Sequence, residues 1–547
     1  MRSIFYKITG GIFISSNALI LSQNTRLSGI KKLAGHTLWY GVPKIFSRFL
    51  NYGLTLLGFR LFDAATTSDL TQVYAIIPFL NVVFTYGLET SYFRFAQLKD
   101  KQTLYNTLSV SITATTILFT LVLFLFKDSV TSFFELKNHP QYVTWMIWII
   151  FFDTLAVIPL SKLRLEERPA KYALINVASI FLNIAIVFFF LFVARKSYES
   201  DPYSFPGILY NPEIGVGYFI LANLIASAVT LLFLLQEIKA IRFVFNKQIW
   251  KEVMVYSYPL IIVGFGGMIN EMLSRVIYKK VAVGTALQQD RELGIFGANY
   301  KLAVLITIFI QIFRLAAEPF FFNQSGREDA KRTYSRVMKF FVIACCFMFL
   351  VIALFLNFWQ ILIASKFKEY AEGIHIVPVL AMASVFLGIY YNLSIWYKLT
   401  NKNMSGAYIT IAGAVVTIIL NIWWIPIFGY TGSAWATFIC YAFMMATSYV
   451  LGQKYYPIPY AKKKLITYLA ISVLLYIIHE FIAGRMDNDW KGYHFIYYGT
   501  AALFIVLFAL LILRVEAKEL QRLPYIGRLV YRTKIDDISL PDQEGVI

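Results

Sequence analysis

The chain has 547 residues, of which 58% are hydrophobic and only 15% charged, whereas soluble domains carry about 25% charged residues. That composition excludes a water-soluble globular protein, because the apolar surface is too large to be hidden in its own core. The formal charge of +19 comes from Lys and Arg in short loops between apolar runs rather than from one basic domain, which excludes nucleic acid as the partner.

Backbone groups in lipid must be paired within the structure, which leaves helices or closed barrels. The apolar runs are about 20 residues long and match helices, not barrel strands of about 10. The expected fold is therefore an all-α integral membrane protein of about 14 transmembrane helices.

At the N-terminus, residues 1–35 read as an extension. Ile12 to Leu21 is apolar after Arg2 and Lys7 and superficially resembles a signal peptide, but the run is short and lacks a convincing cleavage site. A translation start assigned upstream of the true one near Ser28 is the expectation. Spans follow near 38–62, 70–96, 104–126, 141–161, 170–194 and 214–235, giving an N-lobe over 36–245. A second set lies near 253–274, 293–314, 335–356, 372–397, 404–424 and 430–452, giving a C-lobe over 246–455. Two more near 465–484 and 493–514 fill 456–514, before a basic tail over 515–547. The longest connections expected are Arg195 to Glu213 and Arg275 to Glu292. With both termini cytoplasmic, the cytoplasmic loops carry the greater share of Lys and Arg, as the positive-inside rule requires.

An ionisable side chain at mid-membrane costs about 2.5–3.5 kcal/mol on insertion scales, so each calls for a partner, a hydrated cavity or a function. In span 1, Lys44, Arg48, Asn51 and Thr55 share one helical face, which should line a cavity. Arg grips phosphate oxygens bidentately and Lys adds a point charge, so this stripe suits a diphosphate. Span 2 carries Glu89 and Arg94 near its cytoplasmic end. Asp153, deep in span 4, is expected either to pair with Arg48 or to bind the coupling proton or sodium ion. Span 7 contains Pro259, Gly264, Gly266 and Gly267, which should kink or loosen it. Asn270, Glu271 and Arg275 follow, the last two spaced to pair, with Glu271 a second candidate for ion coupling. Lys301 in span 8 is a further cavity candidate. The candidate substrate-binding set is thus Lys44, Arg48, Asn51, Arg94, Asn270, Arg275 and Lys301.

Lys162-Leu163-Arg164, Tyr172 and Asn183-Ile184 recur as Lys398-Leu399-Thr400, Tyr408 and Asn421-Ile422, and Gly215-Val216-Gly217 is answered by Gly429-Tyr430-Thr431-Gly432. Spans 1–6 and 7–12 therefore read as two pseudo-symmetric six-helix lobes, with two C-terminal helices outside the repeat. Parallel lobes of this kind bind substrate at their interface and rock about it. Cys345, Cys346 and Cys440 lie in apolar runs and make neither a disulfide framework nor a metal site. There is no Walker loop and no H-E-x-x-H, so neither cofactor nor enzyme activity is expected.

Several short motifs, Phe46-Ser47-Arg48, Tyr86-Gly87-Leu88-Glu89-Thr90 with Arg94-Phe95, Gly294-Ile295-Phe296-Gly297-Ala298-Asn299-Tyr300-Lys301 and Gly429-Tyr430-Thr431-Gly432-Ser433-Ala434, give residues 30–515 a pattern that resembles the polysaccharide and O-antigen flippases of the multidrug/oligosaccharidyl-lipid/polysaccharide exporter superfamily. The resemblance implies a V-shaped pair of lobes that carries an undecaprenyl-diphosphate-linked oligosaccharide across the bacterial inner membrane for O-antigen, capsule or exopolysaccharide assembly. Its partners would be that polyprenyl-diphosphate-linked oligosaccharide, membrane lipids, and a polysaccharide polymerase and glycosyltransferases. The lipid II flippases of the superfamily share the Phe-Ser-Arg opening, but Leu54 and Thr55 stand here where they carry a basic and acidic pair. A cation-coupled multidrug exporter and a membrane glycosyltransferase are the other readings.

Overall fold

The computed structural model describes residues 49–136, 138–166, 168–324, 327–400, 402–486 and 492–521. Lys44, Arg48 and the 1–35 extension lie outside the described residues. Within them the chain is helical, with no strand. The helices are α1 (49–61), α2 (Ala64–Phe95), α3 (Lys101–Leu125), α4 (Pro140–Leu165), α5 (Pro169–Ser200) and α6 (Pro212–Phe233). They continue as α7 (Lys247–Val281), α8 (Ala286–Gln324), α9 (Ala330–Leu354) and α10 (Lys368–Leu399). The run Asn403–Tyr455 supplies α11 and α12, and α13 (Lys462–Ala483) and α14 (Tyr493–Val515) close the series.

Among the described residues, twelve helical stretches are long and apolar enough to cross a membrane, one of them the 52-residue run Met404–Tyr455. A straight helix of that length would be about 78 Å long, more than twice the roughly 30 Å hydrocarbon core. It reverses at Gly429, whose φ of 56° and ψ of −140° belong to a region open only to glycine. This splits the run into α11 (403–428) and α12 (430–455), so that with α1 the helices labelled here number fourteen, apart from short helical segments in the connections. Gly215, at the start of α6, has φ 51° and ψ −124°, nearly the same conformation. The Gly motifs of the internal repeat are thus the same bend in each lobe.

Helix ends follow local chemistry. Asp63, Asp100 and Asn246 accept from the backbone N–H groups of Thr66, Thr103 and Ile249 at 2.9, 2.8 and 3.0 Å, each satisfying a donor that the first turn leaves open. Pro140 and Pro169 occupy first-turn positions, where a missing N–H costs nothing. Between α7 and α8, where the sequence predicts a long connection from Arg275 to Glu292, the helices run on and only residues 282–285 join them. Span 7 likewise forms one unbroken helix containing Pro259. Its glycines permit close approach on opposite sides: a Cβ on Gly264 would lie 3.0 Å from Val82, and one on Gly266 would lie 3.0 Å from Thr410. α7 therefore packs on both lobes.

For orientation, we call the two ends of the bundle odd and even, after the helices that finish there. At the odd end the lobes meet along α2, α7, α8 and α10. Gly294 of α8 lies directly on the backbone of Ala64 in α2. Lys279, only 5% exposed, bridges Asp69 of α2 at 2.8 Å and Asp290 of α8 at 2.6 Å. Tyr370 bonds Thr67 at 2.8 Å and the Phe62 carbonyl at 2.9 Å. Arg291 pairs with Glu369 and Glu372, and Glu369 accepts from the Ala64 N–H. At the even end, α2 leaves α8 and follows α7 instead: Ser91 bonds Ser257 at 2.6 Å, and Lys99 pairs with Glu252 at 2.7 Å. α13 and α14 pack on α9, with the Phe347 and Phe508 rings 4.9 Å apart.

Candidate functional site

Below the odd-end seam, α2 and α8 separate around a cavity of about 580 Å³, within the range of ligand sites. Thr71 and Gly297, in contact with each other, form its odd-end limit. One turn further along the same two helices, Tyr74 and Lys301 face into it. α1 contributes Asn51, Leu54, Thr55 and Phe59, one face of a helix whose other residues point away.

The two sides of the cavity differ in chemistry. The side formed by α7 and α8 is cationic, with Arg275 and Lys301. Arg275 is buried. It donates from Nη2 to the main-chain carbonyl of Glu271 at 2.6 Å, and its guanidinium lies 4.2 Å from the centroid of the Tyr300 ring. The opposite side is made of uncharged amides and hydroxyls: Asn176, Ser179 and Asn183 on α5, and Asn223, Ser227 and Thr230 on α6. Asp153 of α4 sits within this second side as its one acid, and Ser227 stands beside it as a hydrogen-bond partner.

Among the described residues, two buried atoms of lining side chains have no hydrogen-bond partner, Asn183 Oδ1 and Arg275 Nε. A buried polar atom left in that state costs about 1–3 kcal/mol.

Of the residues singled out from sequence, Asn51, Asp153, Arg275 and Lys301 come together here. Arg94 does not: it lies at the even end with its guanidinium 4.3 Å from the Tyr256 ring centroid. Glu89 pairs with Arg164. Asn270 faces the interior of the C-lobe, where it donates to the Thr410 carbonyl at 3.1 Å and accepts from Thr417 at 3.2 Å. Glu271 is not among the residues lining the cavity, although it lies within electrostatic reach of Lys301. Lys44 and Arg48 lie outside the described residues. The repeat motif marks Asn183 but not the cavity-lining role of the α5 and α6 amides, although Asn176, Ser179 and Asn183 recur at i, i+3 and i+7 within the apolar run of α5. A second hollow, of about 890 Å³ and almost wholly apolar, lies between α10, α12 and α13, lined by Met382, Phe386, Trp435, Phe438, Leu469 and Val473 among others.

No family model and no curated protein matches this sequence. Among solved structures, the lipid II flippase MurJ in an inward closed conformation aligns with a TM-score of 0.62 at 14% identity, covering 87% of this chain and 98% of that one. An inward-facing multidrug resistance MATE family transporter of the MOP superfamily aligns at 0.54 and 13% identity, covering 76% and 94%. The Vibrio cholerae MATE transporter VcmN in its bent form aligns at 0.51 and 13%, covering 80% and 98%. At such identities the likeness is one of fold: the chain has the two-lobed membrane architecture of these transporters.

Proposed function

We propose that the protein is a flippase that carries an undecaprenyl-diphosphate-linked oligosaccharide across the bacterial inner membrane, for O-antigen, capsule or exopolysaccharide assembly, with both termini cytoplasmic. The observation that carries this reading is the two-sided cavity. Arg275 and Lys301 offer charge-assisted bonds to a diphosphate, while the amides and hydroxyls of α5 and α6 match the hydroxyls of a neutral glycan. The apolar hollow beside α13 suits a prenyl chain, which has no reason to leave the bilayer.

In this reading the odd end faces the periplasm and is closed, and transport consists of parting the α2–α8 seam while the even end closes. Asn51, Arg275 and Lys301 hold substrate, together with Lys44 and Arg48, which precede α1 in sequence. Asp153 carries the coupling ion, with Glu271 at its border. Arg94 and Asn270 hold the helices in place. A polysaccharide polymerase and glycosyltransferases are the partners such a pathway supplies.

Translocation of undecaprenyl-diphosphate-linked oligosaccharide in proteoliposomes tests it, read as the fraction of glycan protected from an added glycosidase. Lys301→Met should lower the rate at least tenfold without loss of folded protein. Faster movement of lipid II than of the oligosaccharide lipid would favour the lipid II-type reading that the MurJ fold suggests. Efflux of cationic dyes would favour a multidrug exporter, the reading that an acid in the N-lobe cavity suggests.

A further inference from the structure

The lobes are joined by residues 234–246, between the even ends of α6 and α7, where the short helix Leu235–Lys239 is followed by an irregular stretch. Its backbone is fastened from the inside by α3. The Ala240 carbonyl accepts from Gln102 at 3.2 Å, the Arg242 N–H donates to Asn106 Oδ1 at 3.0 Å, and the Asn246 N–H donates to Thr107 Oγ1 at 3.2 Å. Between these ties, a three-residue turn closed by the Val244 N–H on the Arg242 carbonyl at 2.7 Å has Phe243 at its tip. Phe243 is 90% exposed, and Val244 and Phe245 are 54% and 46% exposed. Four exposed cations, Lys239, Arg242, Lys247 and Lys251, flank the tip. None of the four has an ion-pair partner among the described residues, whereas Lys99, Lys162, Arg164, Arg168 and Lys171 of the same lobe do.

An exposed apolar tip is unfavourable in water, and here its rigid ties prevent it from folding back. The stretch lies where α3 and α7 enter their apolar runs, which is where a bilayer interface would fall. A short apolar insertion ringed by Lys and Arg is the pattern that binds a membrane surface, with aromatic side chains at the acyl boundary and cations on anionic headgroups.

We propose that 239–247 is an interfacial anchor: Phe243, Val244 and Phe245 enter the even-side leaflet, and Lys239, Arg242, Lys247 and Lys251 bind anionic lipid phosphates. The joint between the lobes is thereby held at a fixed depth, whatever the transported substrate.

A single spin label tests this. Cys345, Cys346 and Cys440 are fully buried, so Phe243→Cys provides the reactive thiol. In nanodiscs of phosphatidylcholine with phosphatidylglycerol, the label should be relaxed more by oxygen, which concentrates among acyl chains, than by a water-soluble nickel chelate. Without phosphatidylglycerol the oxygen-to-nickel ratio should fall severalfold. In the K239Q/R242Q/K247Q/K251Q background, whose changes all fall on exposed side chains, it should no longer respond to phosphatidylglycerol. A label relaxed mainly by nickel in both lipid mixtures overturns the anchor and leaves the tip to a soluble partner. An unchanged ratio with and without phosphatidylglycerol overturns the assignment of the four cations.

Discussion

Gly294 provides the sharpest perturbation of the seam between the lobes. A Cβ at this position would lie 1.8 Å from the Ala64 carbonyl oxygen, against a practical limit of 3.0 Å. Both atoms belong to or are fixed on backbone, so no side chain can swing aside. Gly294→Ala must therefore part α2 and α8 by at least about 1.2 Å at the odd end. Overpacking of this kind costs about 1–3 kcal/mol, and because the clash exists only while the seam is closed, the cost falls on the closed state. A bias of that size shifts the equilibrium toward the open odd end by about 5- to 150-fold. Spin labels on N138C in the N-lobe and Q288C in the C-lobe, both exposed positions, report the gap by pulsed electron resonance. The expected result is growth of a longer-distance population in Gly294→Ala. Gly499→Ala on α14, where a Cβ meets nothing within 4 Å, should leave the distances unchanged. Identical distance distributions in Gly294→Ala and the parent, with both folded, would refute the claim that backbone contact closes this end.

Lys279→Met leaves Asp69 and Asp290 facing each other without their shared cation. Breaking a buried pair in this way costs about 3–5 kcal/mol, so the melting temperature in detergent should fall, and K279M/D69N should recover part of the loss. Asn183→Leu removes an unpaired buried oxygen; because replacing such a group by an apolar one of similar shape is near neutral, it should slow transport without lowering the melting temperature. A parallel loss of both would make Asn183 a structural residue. Glu516, just beyond α14, is pushed up by burial but held net below the usual carboxylate range by Lys339 at 2.5 Å, Lys464 at 2.8 Å and Tyr468 at 2.5 Å. Its contribution is complete above the ordinary unfolded value of about 4.3 and is lost as pH falls through the lowered folded value. Glu516→Gln should thus melt below the parent at neutral pH, and the gap should narrow in acid.

The apolar runs made the helices legible because a chain in lipid has few options. The boundaries were less so: α7 and α8 extend to Val281 and from Ala286, since polar residues that end an apolar window do not end a helix, and here they find partners at the seam. The face formed by Asn51 and Thr55 was legible from its period. The roles of Pro259 and the α7 glycines were not, because close packing and kinking leave the same residues in a sequence. Arg94 and Asn270 stood out as polar residues in apolar spans, yet each is satisfied by a neighbour outside the cavity. That distinction depends on which helix lies opposite.

Composition and periodicity by themselves determined a helical membrane protein, and the repeated Gly and Asn motifs determined two like halves. Tertiary structure alone decided that Lys301 and Arg275 confront the amides of α5 and α6 across one cavity, and that the odd end is shut. The reason is physical. Helix formation in lipid is satisfied within each segment, whereas the meeting of charges and hydroxyls from helices distant in sequence depends on how the finished helices pack.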